Sequence, residues 1–193
     1  MEVTFLGTGT SVGVPMIGCR CAVCTSADPR NTRRRTSLYV RTPGAALVID
    51  TPPDFRQQAL DFGVDRVDAV VFTHAHADHI FGFDDIRRFN TLQQKVIPAY
   101  ADTETLADVR RVFSYIGDRP SPLGLYRPLV EFIEVHGPFT VGDVQLTPLD
   151  VCHGNKMTGY LLEREGCRIG YVPDCHTMPD ATVRRLRGVD VMI

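Results

Sequence analysis

The chain lacks a long apolar run, an excess of charge of either sign, an internal repeat and a low-complexity linker. Each absence excludes a class of protein. No stretch reaches the roughly 20 apolar residues that cross a bilayer as a helix. The 21 Lys and Arg stand against 23 Asp and Glu, a net charge of −2, so no global basic field gathers nucleic acid. Without repeats or linkers, residues 1–193 are expected to form a single domain. The opening Met1-Glu2-Val3-Thr4-Phe5-Leu6-Gly7 shows neither the basic nor the apolar region of a secretory signal, and a cytoplasmic chain with no membrane partner is expected.

What is present matches an ordinary globular composition, 44% hydrophobic and 23% charged. A chain this long buries a core without help from disulfides. Three of the six cysteines nevertheless crowd into Gly18-Cys19-Arg20-Cys21-Ala22-Val23-Cys24. Clustered thiols in a reducing compartment point to metal rather than to disulfides. Cys19, Cys21 and Cys24 are the candidate ligands of one structural zinc, and a closed tetrahedral site needs a fourth.

The periodicity predicts a mixed α/β (α+β) chain rich in hairpins. Strands are expected near 3–6, 37–41, 45–50, 68–73, 96–100, 130–135, 139–149, 158–163 and 167–172. Helices are expected over 54–62, 80–89, 102–113 and 179–187, with Asp102 or Thr103 as a cap. Residues 117–128, with Pro120, Pro122, Gly124 and Pro128, read as a loop. Val189-Asp190-Val191-Met192-Ile193 reads as a buried strand.

Gly7-Thr8-Gly9 after the first strand suggests a dinucleotide-binding turn, but the third glycine is Gly13, one residue late, and Pro15 follows in place of a helix. The segment is read as a tight turn needing positive φ angles. A stronger pattern follows the apolar strand Asp68-Ala69-Val70-Val71-Phe72-Thr73: His74-Ala75-His76-Ala77-Asp78-His79. Half of the six histidines lie in these six residues. Imidazole and carboxylate suit zinc, manganese and iron. His74 and His76 have the spacing to share one ion, and Asp78 and His79 to reach a second.

This H-x-H-x-D-H run resembles the signature of the metallo-β-lactamase superfamily. The order of the remaining residues agrees: Asp50 after Leu47-Val48-Ile49, His153 in Asp150-Val151-Cys152-His153-Gly154, and Asp174 in Gly170-Tyr171-Val172-Pro173-Asp174. The resemblance implies a four-layer αββα sandwich and a two-metal hydrolase. His74, His76 and His153 would hold one ion, Asp78 and His79 the other, with Asp174 bridging and Asp50 orienting His74 from behind. Two divalent ions lower the pKa of a shared water and offset charge developing on an oxyanion, a two-metal hydroxide mechanism. Asp50, Asp78 and His176 are the candidate catalytic groups, His176 as a proton donor to a leaving alkoxide.

The cysteine cluster ahead of the histidine motif, with the opening Leu-Gly-Thr-Gly, is similar to the cyclic phosphodiesterases of phosphonate breakdown, the PhnP type. That likeness implies a small cyclic phosphodiester substrate, two catalytic zinc or manganese ions, a structural zinc and a homodimer. Proteins of the PqqB kind have a similar cysteine cluster, which keeps a non-enzymatic metal-binding reading open beside hydrolysis of a lactone, a thioester or an RNA 3′ end. The net charge argues against RNA.

Arg33-Arg34-Arg35 reads either as a phosphate contact or as a solvated loop, and Arg87-Arg88 as a solvated face. Cys152 and Cys175, beside expected ligands, read as packed thiols. The resemblance also implies one more histidine for the second ion and one more ligand for the cysteine zinc. Neither has a counterpart in these 193 residues, so the domain is expected to continue beyond its C-terminal strand, with both sites bound more weakly without that continuation.

Overall fold

The structure is a computed structural model that describes residues 1–117 and 126–193, leaving aside the side chains of 155 and 156. Most of the loop expected over 117–128 therefore lies outside the described residues.

Two sheets carry the fold. The first runs β1 (Glu2–Gly7), β2 (Ser37–Arg41), β3 (Ala46–Ile49), β4 (Ala69–Val71), β5 (Ile97–Ala101) and β6 (Val130–Glu134), each strand beside the next. Its first three strands pair antiparallel, and β3 through β6 pair parallel. The parallel half needs crossovers, which α1 (Phe55–Asp61), α2 (Ala77–Ile80), α3 (Ile86–Gln93) and α4 (Thr103–Val112) provide. The second sheet contains β7 (Phe139–Val141), β8 (Val144–His153), β9 (Asn155–Arg164), β10 (Cys167–Tyr171) and β11 (Val191–Met192). It is antiparallel except where β11 runs parallel to β10. One more helix, α5 (Asp180–Leu186), precedes β11.

Strand alternation divides the apolar residues among three cores. Leu38, Val40, Leu47, Ile49 and Val71 point one way, and meet Val144, Leu146, Tyr160, Leu162 and Tyr171 of the second sheet. Tyr39, Val48, Val70 and Phe72 point the other way, and meet Phe55, Ile80, Phe83, Ile86, Leu106 and Val109 of the helical layer. Val151, Met157 and Val172 face Met178 and Leu186 around α5 on the far side. The layers are therefore helix, sheet, sheet, helix, as expected. Strands covered on both faces read as unbroken apolar runs, which is why β3 and β4 were conspicuous. Burying a side chain such as Phe55 or Phe72 stabilises this arrangement by about 2–3 kcal/mol.

Four local expectations change. The helix expected over 80–89 is interrupted: α2 begins inside the histidine motif, and Gly82 separates it from a 3-10 turn at Phe83–Asp85 that leads into α3. Gly82 lies so close to the chain at Pro52 that a Cβ there would come 2.1 Å from the Pro52 carbonyl oxygen, so a continuous helix with a side chain does not fit. The strand expected over 139–149 is a hairpin, β7 and β8, turned at Gly142 with φ 57°. The C-terminal strand is short and open rather than buried, with Val191 46% and Met192 48% exposed. Gly7 and Gly9 do not supply positive φ, and only Gly13 of that turn does, at 67°. They are small because the chain at Arg33–Arg35 presses on them: a Cβ on Gly7 would lie 2.0 Å from the Arg35 carbonyl oxygen and one on Gly9 2.6 Å from that of Arg33.

Candidate metal centre

The site sits where the two sheets meet at their strand ends. Beyond β4, Phe72 and Thr73 continue the chain towards the motif. The Tyr160 hydroxyl donates to the Phe72 carbonyl (2.9 Å) and the Thr158 N–H to the Thr73 carbonyl (2.9 Å), which ties the motif's approach to β9. The His79 carbonyl accepts from the Thr51 N–H at 2.7 Å, and the Gly82 N–H donates to the Thr51 carbonyl at 2.8 Å. The motif is thus held from both flanks before any ion is considered.

Asp50 is the pivot of this bracing. It follows β3 in the left-handed region, φ 62°, a conformation that costs a non-glycine residue about 1–3 kcal/mol unless its surroundings enforce it. That backbone turns a fully buried carboxylate towards the motif. It accepts from the Thr73 N–H (2.9 Å) and the Thr73 hydroxyl (2.8 Å), and pairs with His79 Nδ1 (2.8 Å). This corrects the expected partnership with His74. Asp50 holds His79 directly and reaches His74 only through Thr73, whose Oγ1 lies 3.0 Å from His74 Nδ1. Thr73 itself escaped the sequence reading, since a threonine ending an apolar strand carries no distinguishing signal.

With Nδ1 of His74 and His79 occupied in this way, their Nε2 atoms face the cleft. His74 Nε2 lies 2.9 Å from His76 Nδ1, and these nitrogens form one compact donor set with His153. A second set joins His74 and His79 to Asp174. The Asp174 carboxylate approaches both: its Oδ2 is 2.9 Å from His79 Nε2, 3.7 Å from His74 Nε2 and 4.0 Å from His153 Nε2. Asp78 Oδ2 is 3.5 Å from His79 Nε2. His74, His76, Asp78, His79, His153 and Asp174, expected as ligands, are therefore all brought together. His153 ends β8 and Asp174 follows β10, so the second sheet contributes these two and the first sheet the other four.

The electrostatics agree with a cation site. Burial alone would depress His79, but Asp50, Asp174 and Asp78 override it and push it up to about 12. His74 goes the other way, to about 4, through burial and the charge on His79. The hydrogen bond to His79 holds Asp78 down at about 2, and the same partner lowers Asp174. One protonated ring thus stands among three carboxylates. A divalent cation displacing that proton would meet neutral imidazole nitrogens and ionised oxygens already gathered in two adjoining sets, the donors that zinc and manganese take.

His176 is exposed, and its ring lies against His153 with centroids 4.9 Å apart. It borders the ligands without joining either donor set. Cys152 and Cys175 are exposed, not packed as expected, because the chain there projects past the covered part of the second sheet. Cys19, Cys21 and Cys24 bring their sulfurs together in a separate group on a surface loop. The Cys24 N–H reaches Cys21 Sγ at 3.5 Å, and this contact with help from Cys19 lowers the Cys21 thiol to about 7.

Two hollows open beside the histidines. One, of about 230 Å³, runs between His74, His76, His153 and the acidic residues Glu104 and Asp108 of α4. The other, of about 430 Å³, lies between His76, Asp78, His153, Asp174 and a wall made of Thr8, Gly9, Thr10, Ser11 and Thr36. A roomier hollow of about 680 Å³, between Asp102, His136, Asp150 and Arg185, contains none of the metal ligands.

Residues 46–193 match the family described as "Beta-lactamase superfamily domain". The chain is similar to a solved structure described as a new diphosphatase from the PhnP family, with 39% identity and a TM-score of 0.86, over 98% of this chain and 71% of that one. It is 30% identical over 221 residues to coenzyme PQQ synthesis protein B of Methylobacterium sp. (strain 4-46), covering 100% of this chain and 72% of that protein. It is also 41% identical over 164 residues to an octanoyltransferase of Porphyromonas gingivalis, where 83% of this chain spans only 32% of the relative.

Proposed function

The chain belongs to the β-lactamase superfamily, with the metallo-β-lactamase fold of its hydrolases, and from that premise we propose that it is a metal-dependent phosphodiesterase acting on a small, cyclic phosphodiester. The observation that carries the reading is the placement of Asp174 Oδ2 within 4.0 Å of three histidine nitrogens, drawn from both donor sets. A carboxylate in that position is suited to bridging two cations. His74, His76 and His153 would hold one, and Asp78 and His79 the other, in the roles expected from the sequence. Bound cations there would supply Lewis acidity, acidifying water and offsetting charge on the phosphoryl oxygens. Zinc and manganese both suit the donors, and Cys19, Cys21 and Cys24 would hold a structural zinc.

The protein's own groups do the positioning. Asp50 fixes the His79 ring so that Nε2 faces the cleft, and Thr73 does the same for His74. Asp78 and Asp174, kept ionised by His79, balance the charge of the centre. His176, exposed at the rim with its ring tilted against that of His153, would give a proton to the departing alkoxide. Hydrolysis at phosphorus is supported by the 39% identity to the PhnP-family diphosphatase. The octanoyltransferase match spans too little of that protein to carry its activity across.

The test is turnover of bis-p-nitrophenyl phosphate with added Mn²⁺ or Zn²⁺, with His76→Ala as the control. Metal-dependent turnover lost in the variant is the expected result, and turnover surviving it overturns the metal mechanism. The likeness to PQQ synthesis protein B favours a second reading, metal binding without hydrolysis. Stoichiometric metal uptake without turnover of phosphodiester, lactone or thioester would select it.

A further inference from the structure

The cysteine loop is anchored at both ends and barely supported between them. At its start, Val14 and Arg33 exchange two backbone bonds of 2.8 and 2.7 Å. At its end, the Ser26 hydroxyl accepts from the Asp28 N–H (3.1 Å) and from Asn31 Nδ2 (2.9 Å). Among the described residues, none from 15 to 26 joins any of the three cores, and Met16, Ile17 and Val23 face solvent. Movement inside the loop therefore disturbs no core packing.

Within this loop Cys21 and Cys24 differ from the other cysteines. The Thr25 N–H donates to the Cys21 carbonyl at 3.0 Å and the Ser26 N–H to that of Val23 at 3.2 Å, so the chain from Cys21 coils in one tight turn. Coiling puts residues three apart on one side. The Cys24 N–H already reaches Cys21 Sγ at 3.5 Å, and the sulfurs of the triad lie within 4.8 Å of one another. Closing that gap to the roughly 2.05 Å of a disulfide needs side-chain rotation and a small shift of unpacked chain. Cys19 is a poorer partner for Cys21, since only Arg20 separates them. Cys21 is the exposed member, and Cys24 is half-buried, its sulfur accepting from the Met16 N–H at 3.4 Å. Cys152 and Cys175 are exposed as well, but neither joins the sulfur group.

We propose that Cys21 and Cys24 are a redox-active dithiol, a modification site for hydroperoxides whose closure expels the ion that the triad would hold. The disulfide follows from the geometry of the loop, whereas the expulsion rests on the zinc reading above. With hydrogen peroxide, the Cys21 sulfur attacks one oxygen, the O–O bond breaks, and the other oxygen leaves as water. The Cys24 sulfur then attacks the sulfenic sulfur, the S–O bond breaks, and a second water leaves. The two sulfurs lose two electrons and the peroxide gains them. The thiol protons depart with the waters, and solvent supplies those protons when the triad holds an ion. Two of three donors are thereby consumed, and the Cys19 sulfur alone does not retain a cation. A thiol reductant reverses the change by exchange.

The test exposes the zinc-loaded and the metal-free protein to hydrogen peroxide, alkylates the remaining thiols and digests with trypsin. Cleavage after Arg20 and Arg30 leaves Cys21 and Cys24 in one peptide and Cys19 in another. Residues 21–30 are expected without alkylation, two hydrogen atoms lighter, and restored by dithiothreitol. Peroxide is expected to release about one equivalent of zinc from the triad, read with a chromogenic chelator, and Cys24→Ser to abolish the link. Alkylation of both thiols in the metal-free protein, a cross-link through Cys19, or irreversible sulfinic acid at Cys21 overturns the dithiol. A link formed with zinc retained overturns the expulsion. If the wild type binds no zinc at the triad, the zinc reading and the expulsion fail together, and the metal-free arm decides the dithiol by itself.

Discussion

The histidine–aspartate centre and the cysteine triad are both clusters of candidate metal ligands, yet they are built on opposite principles. The centre draws its ligands from three separate points of the chain, 74–79, 153 and 174, and sets them against a fully buried Asp50. The triad takes all its ligands from six consecutive residues on a surface loop, next to an Ile17 that is 98% exposed. Its sulfurs receive long backbone contacts, Met16 N–H to Cys24 Sγ at 3.4 Å and Cys24 N–H to Cys21 Sγ at 3.5 Å, and otherwise lean on one another. The fold shapes the first site in advance. The second has little to shape it in advance, so metal binding there would be local folding.

The widest gap between them is expected in activity. His76→Ala removes a donor from the first set and should lower phosphodiester turnover by more than the roughly 10–100-fold that losing a supporting partner costs, with the far-ultraviolet circular dichroism unchanged. A comparable loss from Cys21→Ser would erase the distinction. Asp50→Asn probes the bracing itself. An amide has one acceptor oxygen for three donors and turns an N–H₂ towards one of them. Metal affinity or kcat should fall about 10–100-fold, read by competition with a chromogenic chelator and by initial rates. A fall below twofold would mean that the centre owes nothing to Asp50.

Metal removal sharpens the contrast at intermediate scale. After chelation, amide protons of residues 19–25 should exchange at nearly the rate of an unfolded loop, while those of β3 and β4 keep their protection in hydrogen-exchange mass spectrometry. Equal deprotection of both regions would show that the centre, too, depends on its ions for shape. The smallest effect is expected from Cys21→Ser in the metal-free protein. Urea denaturation should move by no more than about 0.5 kcal/mol, because the position is exposed and joins no core.

The two clusters also differed in what their residues disclosed beforehand. Both were visible as local patterns, since His74-x-His76-x-Asp78-His79 and Cys19-x-Cys21-x-x-Cys24 each concentrate donors in one turn of chain. His153 and Asp174 were legible only by family resemblance, because a lone histidine and a lone aspartate far downstream have no local signature. The layered fold was legible wherever strands are covered on both faces, as β3 and β4 are. It was misread where one close contact decides, as at Gly82 against Pro52. Asp50 was recognised as a supporting residue but assigned to His74. Its real partner depends on the left-handed turn at φ 62°, which a single aspartate does not announce.

The division of ligands between the sheets has a mechanical consequence. Four donors come from the end of one sheet and two, His153 and Asp174, from the end of the other, with few other bonds closing that edge of the sandwich besides those of Thr158 and Tyr160. A cation gripping both groups is a cross-link between two slabs, and its grip must be released before they part. Resistance to unfolding then becomes a function of free cation: each ion held at a hundredfold excess over its dissociation constant adds about 2.7 kcal/mol. With the proposed ions bound, the melting temperature of this protein would gauge the metal around it.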